Sequence, residues 1–317
     1  MRLRVKIKKT KILKSIKNLR DNKSFIVWAS FIFLMLVWGS SFFLVKQGLK
    51  IFSPVEVASI RLSSAMFALL GLAISHFRKI KRENLPHLFI SAIIAMGAPA
   101  YLFAIAQTPN IGISSSISGV LNAMTPLMTF VVGILFFNQK MTLMKIIGLL
   151  MGFIGAATLI LVNAKGQINI NSFGFFVIIA TICYGTNVNY IKRYLADVPS
   201  LQLSSITVTM VGTLAFCILL TTDFWTKLQT VPDAKESFMK VVLLGVMGTA
   251  AAQVVFNKML TYTSALFASS ITYFIPIIAV LWGILDGEVL LPWHYLGMAL
   301  IIGGVLVMNK DRIKSKI

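Results

Sequence analysis

Apolar residues run along this chain in blocks of about 17–24, separated by short polar punctuation, at roughly 25–45, 56–76, 88–106, 114–137, 143–163, 173–191, 201–222, 241–257, 264–285 and 292–309. A hydrocarbon core about 30 Å thick takes about 20 apolar residues in helical form. The pattern therefore predicts ten membrane-spanning helices. Strands are excluded by runs such as Ile93-Ile94-Ala95-Met96 and Ile301-Ile302-Gly303-Gly304, which do not alternate as a lipid-facing barrel requires. The longest connection, about 223–240 with Pro232, Asp233 and Glu236, leaves no room for a soluble domain between spans.

Composition sharpens the picture. Of 317 residues 57% are hydrophobic and 13% charged, about half the charge of an ordinary soluble domain. The net charge of +20 is unevenly placed: 10 of the 30 Lys and Arg fall between Arg2 and Lys23, and four more between Lys310 and Lys316. That distribution, in tails rather than on a folded polar face, speaks against nucleic acid as a partner. It predicts tails of 1–24 and 310–317 held against anionic lipid, the first as a surface helix or as a disordered arm. The first apolar block is too long for a signal peptide and lacks a small-residue cleavage site, so it is read as an uncleaved span. An even span number puts both tails on one side, and the positive-inside rule makes that side the cytoplasm of a cell (inner) membrane. The loops then carry 23 basic residues inside and 6 outside, with Arg61 in a span, although the internal loops alone split only 9 to 6. Cys183 and Cys217 read as small buried hydrophobes rather than as a disulfide or metal pair.

The two halves of the chain repeat. Leu36-Val37-Trp38-Gly39-Ser40-Ser41, followed by Lys46, resembles Ile182-Cys183-Tyr184-Gly185-Thr186-Asn187, followed by Lys192. Phe103–Gly133, with Ser114 and Pro126, aligns at an offset of 150 with Gln253–Gly283, with Ser264 and Pro276. Each repeat holds five spans, 25–163 and 173–309, and an odd number forces the second copy to enter the membrane the other way. The expected fold is thus an all-α membrane protein of ten transmembrane helices arranged as two inverted five-helix repeats, with ligand sites near the midplane.

Trp38-Gly39-Ser40-Ser41-Phe42, Phe52-Ser53-Pro54 and Ile60-Arg61 resemble the opening of an EamA domain of the drug/metabolite transporter superfamily. Ala104–Gln139 and Phe256–Gly304 are similar to the later part of the same domain, so the resemblance covers about nine-tenths of the chain. It implies a carrier that moves small metabolites, typically outward, by alternating access, with the last helix of each half as scaffold or as a homodimer contact. The family's Gly-Glu at the end of the fourth span survives only as Gly287-Glu288; the first half has Asn138-Gln139. Glu288 then has two readings, an acid for coupling or a turn residue binding backbone amides.

Polar side chains at membrane depth are costly unless they face a cavity or a partner, and this selects the candidate substrate-binding residues. Trp38, Ser41 and Val45 share one face of the first span, and Tyr184, Asn187 and Ile191 the equivalent face of the sixth. Gln253 and Asn257 share a face of the eighth, matched by Phe103 and Gln107 in the third, and Asn122 in the fourth corresponds to Thr272, beside Tyr273, in the ninth. Interfacial anchoring for the aromatics and helix–helix contact for Ser41 and the amides are the competing readings. Glu56 is read as a helix cap; Arg61, deeper, either binds a substrate carboxylate or bridges to neighbouring carbonyls. No acid lies deep in a span, so a proton relay through a central carboxylate is not expected. His76, His87 and His294 sit near span ends, with no metal-ligand spacing, no catalytic trio and no nucleotide-binding loop. An enzyme is therefore not expected, and neither is a cofactor or a bound metal. The reading is a transporter for amino acids or related amphipathic metabolites; a flippase for lipid-linked molecules is the alternative, and a receptor or scaffold comes third.

Overall fold

The computed structural model of the chain describes the backbone of residues 2–138, 142–161, 171–263 and 270–314, and the side chains of these except 2–23, 161, 257, 260, 261, 270, 273 and 308–314. Gln139, Ser264 and Ala265, used above to align the halves, lie outside the described residues. Helices follow one another without a strand among the described residues: α1 Arg2–Gly48, α2 Pro54–Phe77, α3 Arg82–Ala106, α4 Ser115–Asn122, α5 Thr125–Phe137, α6 Leu143–Leu161, α7 Gly174–Tyr194, α8 Ser200–Leu220, the short α9 Phe224–Thr230, α10 Ala234–Tyr262, α11 Ile275–Leu285 and α12 Pro292–Lys314. Seven of these are long and apolar enough to cross a membrane; α4 and α5, bent by 40°, make an eighth span together, while α11 and Pro292–Val307 are shorter apolar helices. The protein is a multi-pass integral membrane protein.

Local chemistry explains where the helices start. Ser53 and Glu56 form a capping box around Pro54, and buried Glu56 also accepts from Lys227 at 2.7 Å, so the cap read from the sequence is there with a cation added. Glu56 and Arg61 do not pair. Pro54, Pro126 and Pro276 all fall in the first turn of α2, α5 and α11, where a missing N–H is harmless. They begin helices rather than kink them.

Neighbour relations obey a two-fold pattern. α1 packs on α11 as α7 packs on α5; α1 meets α10 as α7 meets α3; α2 meets α10 as α8 meets α3; and α2·α8 and α6·α12 are self-related pairs. The halves are inverted. At one end Glu56, at the start of α2, meets Lys227 beyond the end of α8, while at the other His76, at the end of α2, bonds Ser205 at the start of α8 (Nδ1 to Oγ, 3.0 Å). Even the irregularities are copied: a π-helical stretch interrupts α3 at Ile93–Gly97 and α10 at Leu244–Ala251.

The matched glycines mark close backbone approach. A Cβ at Gly39 would strike Ile278 and the Ile275 carbonyl of α11, and one at Gly185 would strike the Met128–Thr129 backbone of α5. Gly155 faces Gly297, and Gly304 faces Gly148 and Gly152, so α6 and α12 run antiparallel in backbone contact. The glycine stripes of the two last helices are thus spent inside the chain, as scaffold; a second copy would have to use another face. Cys183 is half-buried and Cys217 exposed. The expectation of two buried cysteines fails for Cys217 because α8 turns that side outward, where lipid accepts a thiol as readily as a core does. The same distinction predicts that Gly155→Leu lowers stability by about 1–3 kcal/mol or more through overpacking, whereas Gly71→Leu, with open space around it, leaves the thermal unfolding midpoint in detergent unchanged.

Candidate functional site

Arg61 is a charged side chain set inside the span Pro54–Phe77. Two turns inside α2, its Nε donates to Thr249 Oγ1 at 3.0 Å, and it lies within electrostatic reach of Tyr184. No carboxylate comes within ion-pair distance among the described residues, yet the residue keeps accessible surface. A guanidinium has five donors in a planar fork. One goes to a hydroxyl here, leaving a cation without a carboxylate partner among the described residues inside a span, the electrostatic setting for an anionic group.

Tyr184, the neighbour of this charge, opens a series of aromatic contacts. The Tyr184 and Phe103 rings stack at 6.2 Å, and Phe103 meets Phe42 edge-on at 5.5 Å. The Trp38 ring lies 5.4 Å from Phe256, and its Nε1 donates to the Gly248 carbonyl at 3.1 Å. Gly248 belongs to the π stretch of α10, so Trp38 bonds the backbone of the irregular segment. Thr249, the partner of Arg61, is the next residue. The two repeats therefore meet at the π segment, one contributing Trp38 and Arg61 and the other Gly248, Thr249 and Tyr184.

The remaining candidates divide by their surroundings. Asn122 and Gln253 are half-buried, and their side chains make no hydrogen bond among the described residues, leaving both amides open to a ligand. Asn187 is half-buried and accepts from Ser91 Oγ at 2.7 Å, which leaves its NH₂ unengaged. Thr272 is engaged with protein neighbours. Ser41 is buried, donates to the Val37 carbonyl at 2.9 Å and packs on Gly248, the geometry of a close helix contact. Phe103 and Gln107 are buried too; Gln107 Nε2 reaches the Phe103 carbonyl at 3.4 Å and its Oε1 has no partner among the described residues. The side chains of Asn257 and Tyr273 lie outside the described residues.

A second polar cluster closes one end of the bundle. Glu288, in the turn between α11 and α12, accepts from Ser115 N and Oγ at 3.0 and 2.7 Å and from Ser116 N and Oγ at 3.0 and 2.6 Å. Lys46 Nζ lies 2.8 Å from Glu288 and 2.7 Å from Asp286, and Gln47 donates to Asp286 at 3.1 Å. The amides at the start of α4 are thereby accounted for: Ser115 and Ser116 bind the carboxylate, and Ile117 binds the side chain of Ser114. Of the two readings of Glu288, the amide-binding turn residue is the one the geometry displays. Burial pushes its carboxyl up, but the hydrogen bonds from Lys46, Ser116 and Ser115 outweigh that and hold it at about 2. Gly287 supplies the left-handed turn (φ 81°), as Asn138 does in the first half (φ 52°). Gly283 leaves the space, since a Cβ there would collide with Ser116 Oγ and the Glu288 carboxylate.

Sequence reasoning flagged Lys46 and Glu288 separately but missed Ser115, Ser116, Asp286 and Gln47 as their partners. The run Ser114-Ser115-Ser116 before an apolar stretch is a helix-start signal that could have found half of the cluster. Thr249, Ser91 and Asn189, whose Nδ2 donates to the Thr129 and Gly185 carbonyls at 2.9 and 3.0 Å, were also missed.

The chain matches the family model of the EamA-like transporters twice, over residues 25–161 and 172–310. It belongs to the EamA-like transporter family. Similar proteins include an uncharacterized transporter of Archaeoglobus fulgidus, 21% identical over 90% of this chain and 99% of its own length. The uncharacterized inner membrane transporter YedA of Escherichia coli K12 is 25% identical over 87% of this chain and 88% of its own. A probable terminal-alkyne amino-acid exporter of Streptantibioticus cattleyicolor is 24% identical over 90% and 93%. One crystal structure shares the fold, with a TM-score of 0.59 at 15% identity over 92% of this chain and 99% of its own.

Because the Glu288 carboxyl titrates below the ordinary range of about 4.3, its contribution to stability is complete above that range and disappears as pH falls towards 2. Thermal unfolding of the wild type should therefore lose this contribution only on acidification from about pH 4.5 to pH 2. Glu288→Gln, which turns an NH₂ towards a donor, should lower stability at pH 7 by about 1–3 kcal/mol and flatten that acid limb; an unchanged acid limb would detach Glu288 from it.

Proposed function

We propose that the protein is a carrier of ten spans that exports or exchanges small carboxylate-bearing metabolites, amino acids or related amphipathic compounds, by alternating access between its two repeats. The observation that carries this reading is Arg61, a guanidinium well inside a span without a counter-ion among the described residues, bonded to Thr249 and within electrostatic reach of Tyr184. A carboxylate on Arg61, an apolar body against the aromatics, and amide contacts from Asn122, Asn187 and Gln253 would hold such a molecule across both repeats. The ten spans comprise the seven long helices, the α4/α5 pair, the stretch that ends in α11, and α12. The domain limits are those of the repeats, 25–163 and 173–309, with basic tails outside them. The charge bias supports both tails on the cytoplasmic side of the inner membrane; the Lys46–Glu288 cluster then lies at the opposite end, where it would hold the outer mouth closed. Opening outwards must then separate Glu288 from Ser115 and Ser116. The relative named as a probable amino-acid exporter supports the substrate class.

Counterflow in proteoliposomes over an amino-acid panel tests this. At least one carboxylate-bearing compound should exchange, and Arg61→Gln should slow it at least about tenfold, the loss of one charge-assisted hydrogen bond, with expression and unfolding temperature intact. Asn257→Leu should also reduce exchange. Transport indifferent to Arg61, or movement of lipid-linked compounds alone, would replace the carrier reading with the flippase one.

A further inference from the structure

Outside the central site, one surface feature remains unassigned. An apolar groove of about 350 Å³ opens on the flank of the bundle between α2, α3 and α8, walled by Leu70, Ile74, Phe77, Phe89, Met210 and Leu214. Leu70, Ile74 and Phe77 follow one another on the face of α2, so the groove runs about 10 Å along the helix axis. Apart from Met210 these side chains are exposed. Its inner end stops within the apolar belt; its outer end is Phe77, the last residue of α2.

The chain turns directly beyond Phe77 into Arg78-Lys79-Ile80-Lys81-Arg82. Arg78 and Lys79 are exposed at the helix terminus, where the turn is pinned by Lys79 N donating to the His76 carbonyl at 2.9 Å. Lys81 faces Glu83 and Asp197 at 3.5 and 3.8 Å, whereas Arg78, Lys79 and Arg82 have no carboxylate in ion-pair range among the described residues. An apolar furrow parallel to the span thus leads into a cluster of unneutralised cations at its mouth. One class of molecule matches both parts at this depth: a phospholipid with an acidic headgroup. The cations repeat, at the end of α2, the charge complementarity that draws anionic lipid to polybasic segments.

We propose that this groove is a binding site for an anionic glycerophospholipid, one acyl chain lying along Leu70, Ile74 and Phe77 and the phosphate held by Arg78 and Lys79. The site joins α2 to α8, the pair that crosses between the two repeats. It is independent of the site at Arg61 and stands or falls apart from the transport reading.

The test is native mass spectrometry of protein delipidated in neutral detergent and titrated with phosphatidylglycerol or phosphatidylcholine of identical chains. Phosphatidylglycerol should bind at a first site at least about tenfold more tightly than phosphatidylcholine, from two cations near the headgroup. Arg78→Gln/Lys79→Gln should abolish that preference, and Leu214→Trp, which fills the groove wall, should remove the site for both lipids. Lys50→Gln/Lys235→Gln, at the other end of the bundle, should leave it intact. Circular dichroism and unfolding temperature check that each variant is folded. Equal retention of the two lipids by the wild type, a preference that survives the Arg78/Lys79 change, or a lipid-free dimer closing this face and blocked by Leu214→Trp would each overturn the proposal.

Discussion

Hydrocarbon offers no hydrogen bonds, and this structure is organised around the places where its helices nevertheless break. An uninterrupted helix satisfies its own backbone; a π stretch, a bent pair or a helix that starts inside the bundle does not. At several points a side chain from another element bonds the backbone across the bundle. Trp38 covers the Gly248 carbonyl, Asn189 the Thr129 carbonyl, and Glu288 the first two amides of α4. In all three cases the donor and the acceptor come from different repeats. The residues that repair the backbone are therefore also those that hold the halves together.

The strongest of these repairs is charged. A carboxylate at a helix start gains from the dipole as well as from the amides, and Lys46 ties it to the end of α1. Three elements converge on one anion: α1, α4 and the turn after α11. The corresponding turn of the first half carries neutral Asn138-Gln139, so the two ends of an otherwise duplicated design are not equivalent. Towards the middle the polarity reverses. There the group without a counter-ion among the described residues is a cation, Arg61, and the neighbours it shows are a hydroxyl, Thr249, and a phenol, Tyr184.

Much of this was legible in the sequence, for identifiable reasons. Apolar length reports spans because bilayer thickness is fixed, and the matched Gly39 and Gly185 report close packing because only glycine permits it. The inverted repeat followed from counting. What escaped was partner identity over long separations: nothing near Glu288 says that its acceptor oxygens belong to serines 172 and 173 residues earlier. The π stretches also escaped, since an extra residue in a helical turn leaves no compositional mark. They in turn determine which hydroxyl meets Arg61. Ser41 shows the converse limit, because its spacing put it on the inward face, but only the approach of Gly248 decides that a helix and not a cavity lies opposite.

The duplicated π stretches bear on how the chain can change length. Each accommodates a surplus residue within a continuous helix, so removing one residue there would restore regular α geometry without leaving an unpaired amide. It would also rotate everything beyond it by about 100°. Thr249 would swing away from Arg61, and the Gly248 carbonyl would leave Trp38. In these two stretches the number of residues, as much as their identity, sets which groups meet, and a deletion there would undo both contacts at once.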